Sequence, residues 1–230
     1  MKKYLVVDDN CAFAENLAEI LRDQGAEVIV AGSGSEALEL ASSTRFDALV
    51  TDMRMPVMNG ARLVHEIRRL DPGLPAVVVT AYTAEDDLLA AREEGLLAVL
   101  PKPTPLEQLV DLLAAARRDG LVALVEDDPS FADNLAEALR DRGFSAVTAR
   151  SVRETERLGG VRPFAALVDL RVPGGPDGAA LTGLLERFPS LPVLVISAHV
   201  EAMARAGNLP CFSKPVNTRE VLEKVEELWR

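Results

Sequence analysis

The chain repeats itself. FAENLAEILRDQG, from Phe13 to Gly25, returns as FADNLAEALRDRG, from Phe131 to Gly143, with 10 of 13 positions identical. Each copy follows an apolar run that ends in acids, LVVDDN from Leu5 and ALVEDD from Ala123. ALVTDMRMP (Ala48–Pro56) corresponds to ALVDLRVP (Ala166–Pro173), and PAVVVTAY (Pro75–Tyr82) to PVLVISAH (Pro192–His199), both at an offset of 117. Lys102-Pro103 and Lys214-Pro215 lie 112 apart. By length alone, 230 residues allow one large domain or two small ones. So many blocks in one order decide for two copies of one fold, residues 1–119 and 120–230.

Within the first copy, Tyr4–Val7, Glu27–Ala31, Ala48–Thr51, Ala76–Thr80 and Ala98–Leu100 are short and apolar on consecutive positions. That is the pattern of strands covered on both faces of a parallel sheet. Phe13–Gln24, Ser35–Ser42, Ala61–Leu70, Ala84–Glu93 and Leu106–Arg118 carry helical spacing, with Gly25 and Gly95 as stops. The expected fold is α/β, two doubly wound (βα)5 flavodoxin-like domains with five-stranded parallel sheets. The last helix of the first domain should run to about Arg118, leaving two or three residues before the strand at Leu121.

Ligands of such sheets gather at the carboxyl ends of the strands. There stand Asp8, Asp9, Asp52, Thr80 and Lys102 in the first copy, and Glu126, Asp127, Asp169, Ser197 and Lys214 in the second. Three crowded carboxylates repel one another unless a cation offsets them. An all-oxygen set selects a hard ion, for which Mg²⁺ is the natural choice. A carboxylate can also be phosphorylated, and a hydroxyl and a lysine are what a transferring phosphoryl group needs. The two histidines, His65 and His199, exclude a His-based metal site. The lone Cys11 and Cys211 fit a reduced, cytoplasmic protein. A net charge of −11 argues against direct nucleic-acid binding or a membrane-surface footprint, and no apolar run reaches the ~18 residues of a span.

Both halves resemble response-regulator receiver domains of bacterial two-component signalling. VVDDN, the Asp of VTDMRMPVMNG, VVVTAY and VLPKP stand in that family's order. The resemblance implies that Asp52 and Asp169 are phosphoacceptors, supplied by a histidine kinase or histidine phosphotransferase. It implies that Asp9 and Asp127 bind Mg²⁺ directly, Asp8 and Glu126 mainly through water, and Arg54 and Arg171 through their backbone carbonyls. Thr80 or Ser197, with Lys102 or Lys214, would grip the phosphoryl oxygens, and the small Ala81 and Ala198 would give access. The function implied is a phosphorelay switch of protein–protein interactions, with self-catalysed phosphoryl transfer and no small-molecule turnover. A homodimer is compatible with the surfaces such domains commonly use.

Departures from the pattern bear on the readings that compete. The aromatic residue common three positions before the lysine is replaced by Val99 and Cys211. Ser197 to Lys214 spans 17 residues against 22 from Thr80 to Lys102, so the fourth helix of the second domain should be shortened. VPGGPDG carries one residue more than MPVMNG beside the acceptor. The second domain could therefore be a pseudo-receiver used for docking or dimerisation. A Mg²⁺-dependent phosphohydrolase with an Asp nucleophile would need a second Asp two residues on, where Arg54 and Arg171 stand. His65-Glu66 resembles a kinase phosphoacceptor box, but inside a receiver helix. Gly32-Ser33-Gly34 reads as a turn rather than a nucleotide loop, and Cys11 as a small, partly buried thiol. Arg54 and Tyr82, two residues past Asp52 and Thr80, would overhang the acyl phosphate and hinder water, whereas His199 in the equivalent place of the second domain could orient a water, so the two phosphate lifetimes should differ. No output domain occurs in these residues, so output is expected through a partner or a further part of a larger kinase or regulator.

Overall fold

Alternating apolar strands and amphipathic helices build two five-stranded parallel sheets in the computed structural model, which describes residues 1–81, 95–198 and 207–230. One sheet belongs to a unit spanning Met1–Asp119 and the other to Gly120–Arg230. The first contains β1 (Lys3–Val7), β2 (Glu27–Ala31), β3 (Ala48–Asp52), β4 (Ala76–Thr80) and β5 (Ala98–Pro101), in the order β2-β1-β3-β4-β5. The second contains β6 (Leu121–Val125), β7 (Ser145–Ala149), β8 (Ala165–Val168), β9 (Val193–Ser197) and β10 (Cys211–Ser213), in the matching order β7-β6-β8-β9-β10. Every pairing is parallel. The α/β doubly wound fold expected from the apolar runs is the one found.

The helices of the first unit are α1 (Cys11–Asp23), α2 (Gly34–Ser43), α3 (Gly60–Leu70) and α4 (Leu106–Ala115). Those of the second are α5 (Pro129–Asp141), α6 (Val152–Thr155, continued by a 3₁₀ turn over Glu156–Gly160), α7 (Ala179–Arg187) and α8 (Thr218–Trp229). The stretch 84–93, and the residues whose shortening was expected in the second copy, lie outside the described residues.

Strand alternation distributes the cores over both faces of each sheet. Tyr4 and Val6 of β1 pack with Leu17 and Leu21 of α1 and Leu109 and Leu113 of α4. Leu5 and Val7 point the other way, to Ala37 of α2 and Leu63 and Ile67 of α3. The second unit repeats this: Val122 and Leu124 meet α5 and α8, while Ala123 and Val125 meet α7. Trp229 closes the α8 side, edge-on to the stacked pair Phe144 and Phe164.

Local chemistry starts the helices where the site needs them. Asn10, Ser33, Asn59, Asp128, Ser151 and Asn217 each cap a helix with a side-chain oxygen. Gly32-Ser33-Gly34 is such a start: Ser33 accepts from Glu36 N, and the Glu36 carboxylate accepts from Gly32 N at 2.8 Å. Ser151 and Glu154 make the same reciprocal pair, yet α6 lasts one turn.

The end of the first unit departs from the expected long helix. α4 stops at Ala115, with Ala116 already extended. Its terminal carbonyls at Leu113, Ala114 and Ala116 accept from the Lys2 ammonium at 3.0, 2.7 and 3.1 Å, a cationic C-terminal cap. Arg118 then turns back to donate to Phe46 O and pair with Asp71. Asp119, at φ +62°, donates its N–H to Gly73 O at 2.7 Å. A Cβ on Gly73 would lie 1.6 Å from Asp119 Oδ1 and 3.1 Å from its Cα, so a side chain there would have to push the Asp119 carboxylate aside. These contacts outweigh the helical propensity of the two arginines, whose pattern alone suggested continuation.

Candidate functional site

β1 and β3 are neighbours, and β4 and β5 follow, so the carboxyl ends of four strands meet along one edge. Asp8 follows β1, Asp52 ends β3, Thr80 ends β4, and Lys102 follows β5. Asp8, Asp52 and Thr80 are buried; Asp9 is exposed. Lys102 Nζ joins the two buried acids, 2.7 Å from Asp8 Oδ2 and 2.8 Å from Asp52 Oδ1. The Lys102 N–H donates to the Thr80 carbonyl at 2.8 Å, which fixes the lysine backbone beside the hydroxyl residue.

The acids are oriented from behind. Asp8 Oδ1 accepts from Asn10 N at 2.9 Å, and Asp52 Oδ2 from Arg54 N at 2.8 Å. The remaining oxygen of each is thereby turned to Lys102. Gly60 brings the start of α3 against the end of β3: its N–H donates to Met53 O, and a Cβ there would lie 2.3 Å from Asp52 O. Burial pulls the Lys102 pKa down, but hydrogen bonds and charge from Asp52 and Asp8 override it, leaving it above the ordinary value of 10.5.

The second unit rebuilds the arrangement with one longer acid. Lys214 Nζ contacts both Glu126 oxygens at 2.8 and 2.6 Å and Asp169 Oδ2 at 2.7 Å, using all three of its protons. Asp169 Oδ1 accepts from Arg171 N at 2.9 Å, and the Ser197 carbonyl from Lys214 N at 3.0 Å. Ser197 is buried, as are Glu126 and Asp169, and Asp127 is exposed. Burial raises the Glu126 pKa above 4.5, outweighing the Lys214 ammonium that lowers it. Lys214 itself is held above 10.5, its burial overcome by Asp169 and Glu126. In the loop beside Asp169, Arg171 Nε donates to Asp177 Oδ2 at 3.1 Å.

Among the described residues, the donors at each edge are carboxylates and peptide groups, a set that fits a hard divalent cation. Among the described residues, one acidic trio brings ligand oxygens within 4.8 Å of one another, and it is Glu126, Asp127 and Asp169. The looser acids of the first unit are already drawn together by Lys102. Arg54 and Arg171 meet the acceptors through their N–H groups.

Asp8, Asp9, Asp52, Arg54, Thr80 and Lys102, and Glu126, Asp127, Asp169, Arg171, Ser197 and Lys214, thus lie at these two strand edges. His65 does not; it is an exposed residue midway along α3. Cys11, expected to be partly buried, is exposed at the start of α1, as is Cys211 in β10. Tyr82 and His199 lie outside the described residues. Sequence reasoning missed Phe13 and Phe131, whose rings face Lys102 and Lys214. Their identity within the best repeated block was the available signal.

The family model for the response regulator receiver domain matches residues 4–114 and 122–226. A response regulator receiver protein of Anaeromyxobacter sp. (strain Fw109-5) is 64% identical over 230 residues, covering 100% of this chain and 96% of that protein. Response regulator MprA of Mycobacterium ulcerans (strain Agy99) is 34% identical over 170 residues, 74% of this chain and 72% of the relative. A CheY-like receiver domain structure from Methanospirillum hungatei JF-1 is 27% identical, covers 50% of this chain and 91% of that one, and has a TM-score of 0.48. The receiver domain of a sensor histidine kinase from Pseudomonas aeruginosa PAO1, solved with magnesium in its active-site cleft, is 28% identical at 49% and 93% coverage with a TM-score of 0.45. Among the described residues no helix is long and apolar enough to cross a membrane.

Proposed function

The chain belongs to the response regulator receiver family in both of its halves, and from that premise we propose that it accepts a phosphoryl group on Asp52, and on Asp169 as a second acceptor. Receiver domains are the switches of two-component signalling. Here the donor would be a phosphohistidine on a kinase or phosphotransferase. A carboxylate oxygen of Asp52 forms the new bond to phosphorus while the bond from phosphorus to the donor nitrogen breaks, and the freed imidazole takes up a proton. The observation that carries this reading is the single ammonium, Lys102 Nζ, within 2.8 Å of both buried acids and tied by its backbone to Thr80, with the same constellation rebuilt at Lys214.

Lys102 is fixed where phosphoryl oxygens would arrive, and Thr80 ends the adjacent strand to donate a hydroxyl. Asp9, Asp52 and the Arg54 carbonyl would hold Mg²⁺ with Asp8 behind them; Asp127, Asp169, the Arg171 carbonyl and Glu126 are the second set. The ion, when bound, neutralises the crowded acids and the incoming phosphoryl oxygens. Arg54 and Arg171, standing where a hydrolase would place an acid/base carboxyl, favour a switch over a turnover enzyme. The readout is a change in protein partners, in a cytoplasmic setting that two unpaired cysteines suit.

The test is labelling of the full chain by acetyl phosphate with Mg²⁺, followed by intact mass. Two adducts are expected in the parent, one in Asp52→Asn or Asp169→Asn, none in the double variant and none in EDTA. Unchanged labelling of the double variant would refute both assignments. A single adduct, lost only in Asp52→Asn, would make the second domain a docking element.

A further inference from the structure

In both halves an aromatic ring lies against the lysine that an incoming phosphoryl group would meet. Lys102 Nζ is 4.4 Å from the ring centroid of Phe13, and Lys214 Nζ is 4.7 Å from that of Phe131. Both are well inside the ~6 Å over which a ring face attracts an ammonium. The rings are half-buried, on the first turns of α1 and α5. The helix caps hold these very residues: Asn10 Oδ1 accepts from Phe13 N, and Asp128 Oδ1 from Phe131 N, each at 3.2 Å. Phe131 further lines a small cleft together with Glu126 and Asp169.

We propose that Phe13 and Phe131 are positioning residues for Lys102 and Lys214, their ring faces seating the ammonium in the cleft throughout phosphoryl acceptance. The argument rests on the phosphorylation reading above. The lysine's other partners named above are acids that are modified or drawn away during that step. Asp52 or Asp169 becomes an acyl phosphate, and Asp8 or Glu126 is drawn toward the cation when it binds. Among the described residues, the ring is the side-chain partner that stays the same. A lysine on a flexible four-carbon stem would otherwise gain freedom as its acids are claimed, and orientation would be lost when the new oxygens need it. That the arrangement occurs twice, at positions 118 apart, speaks against accidental packing.

The test uses the full chain carrying Asp169→Asn, so that label reports on Asp52 alone. Phe13 is replaced by mono-, di- and trifluorophenylalanine, which weaken the negative ring face stepwise at nearly constant shape. The acetyl phosphate labelling rate with Mg²⁺ is expected to fall steadily along the series, by about three- to tenfold at its end. Phe13→Leu should match the trifluoro variant, and Phe13→Trp should recover the parent rate. In proton NMR, the ring-shifted ε-methylene signals of Lys102 should move toward ordinary lysine positions in Phe13→Leu. A rate that ignores fluorination while the parent still labels would overturn the seat and leave the phosphorylation reading intact. No label in the parent would overturn that reading, and the proposed role of the ring with it.

Discussion

Gly60→Ala should damage the acceptor from behind. The added methyl carbon would lie 2.3 Å from Asp52 O and 3.1 Å from Met53 Cα, and ordinary contact begins near 3.4 Å. Both obstacles are backbone, so no side chain can swing away, and the β3–α3 junction must open by about 1 Å. Overpacking of this kind costs about 1–3 kcal/mol. The displaced peptide carries Asp52 itself, whose pair to Lys102 is only 2.8 Å long. A shift of about 1 Å at a reacting group can lower a rate by about a hundredfold. Hydrogen exchange read by mass spectrometry should show lost protection over residues 48–52 and 60–70, and labelling of Asp52 should slow at least tenfold. Parent-like protection and labelling would show that the junction has slack the geometry denies.

Three further outcomes follow from other sites. Gly183 sits inside α7 with open space where a Cβ would go, so Gly183→Ala should stabilise the second unit by roughly 0.5–1 kcal/mol in urea denaturation. Glu126 has a folded pKa above its ordinary 4.5, so its contribution is present below that value and lost as pH rises through the folded one. In EDTA, Glu126→Gln should therefore gain stability relative to the parent from about pH 4.5 upward and then level off, with Trp229 fluorescence as the reporter; a difference independent of pH would contradict the shift. Lys2→Met should fray the end of α4, with faster exchange over 109–116 and a loss of about 1 kcal/mol.

What the sequence made legible was whatever depends on residue type at a strand end. Asp8, Asp52, Thr80 and Lys102 converge because each terminates or follows an apolar run, and the runs themselves set the strand boundaries to within about a residue. Less legible was whatever depends on contacts distant in sequence. The last helix of the first unit was read through to Arg118 because its propensity continues. It ends at Ala115 because Arg118 finds Asp71 and Phe46, which no local pattern announces. The contact between Lys102 and the Phe13 ring spans 89 positions (102 − 13), beyond the reach of any local pattern. α6 carries a full capping signal at Ser151 and Glu154 yet yields a single turn, passing at Glu156 into a 3₁₀ turn that ends at Gly160.

The strap that closes the first unit also decides where the gene could be cut. Asp119 is fastened to Gly73 of its own unit, and the next residue, Gly120, accepts from Ser145 N of the other. The seam between the two copies is thus a single peptide link, not the whole stretch after Ala115. Residues inserted between Asp119 and Gly120 would leave both sets of fastenings whole. The same insertion three residues earlier would separate Arg118 from the helix that delivers it to Asp71.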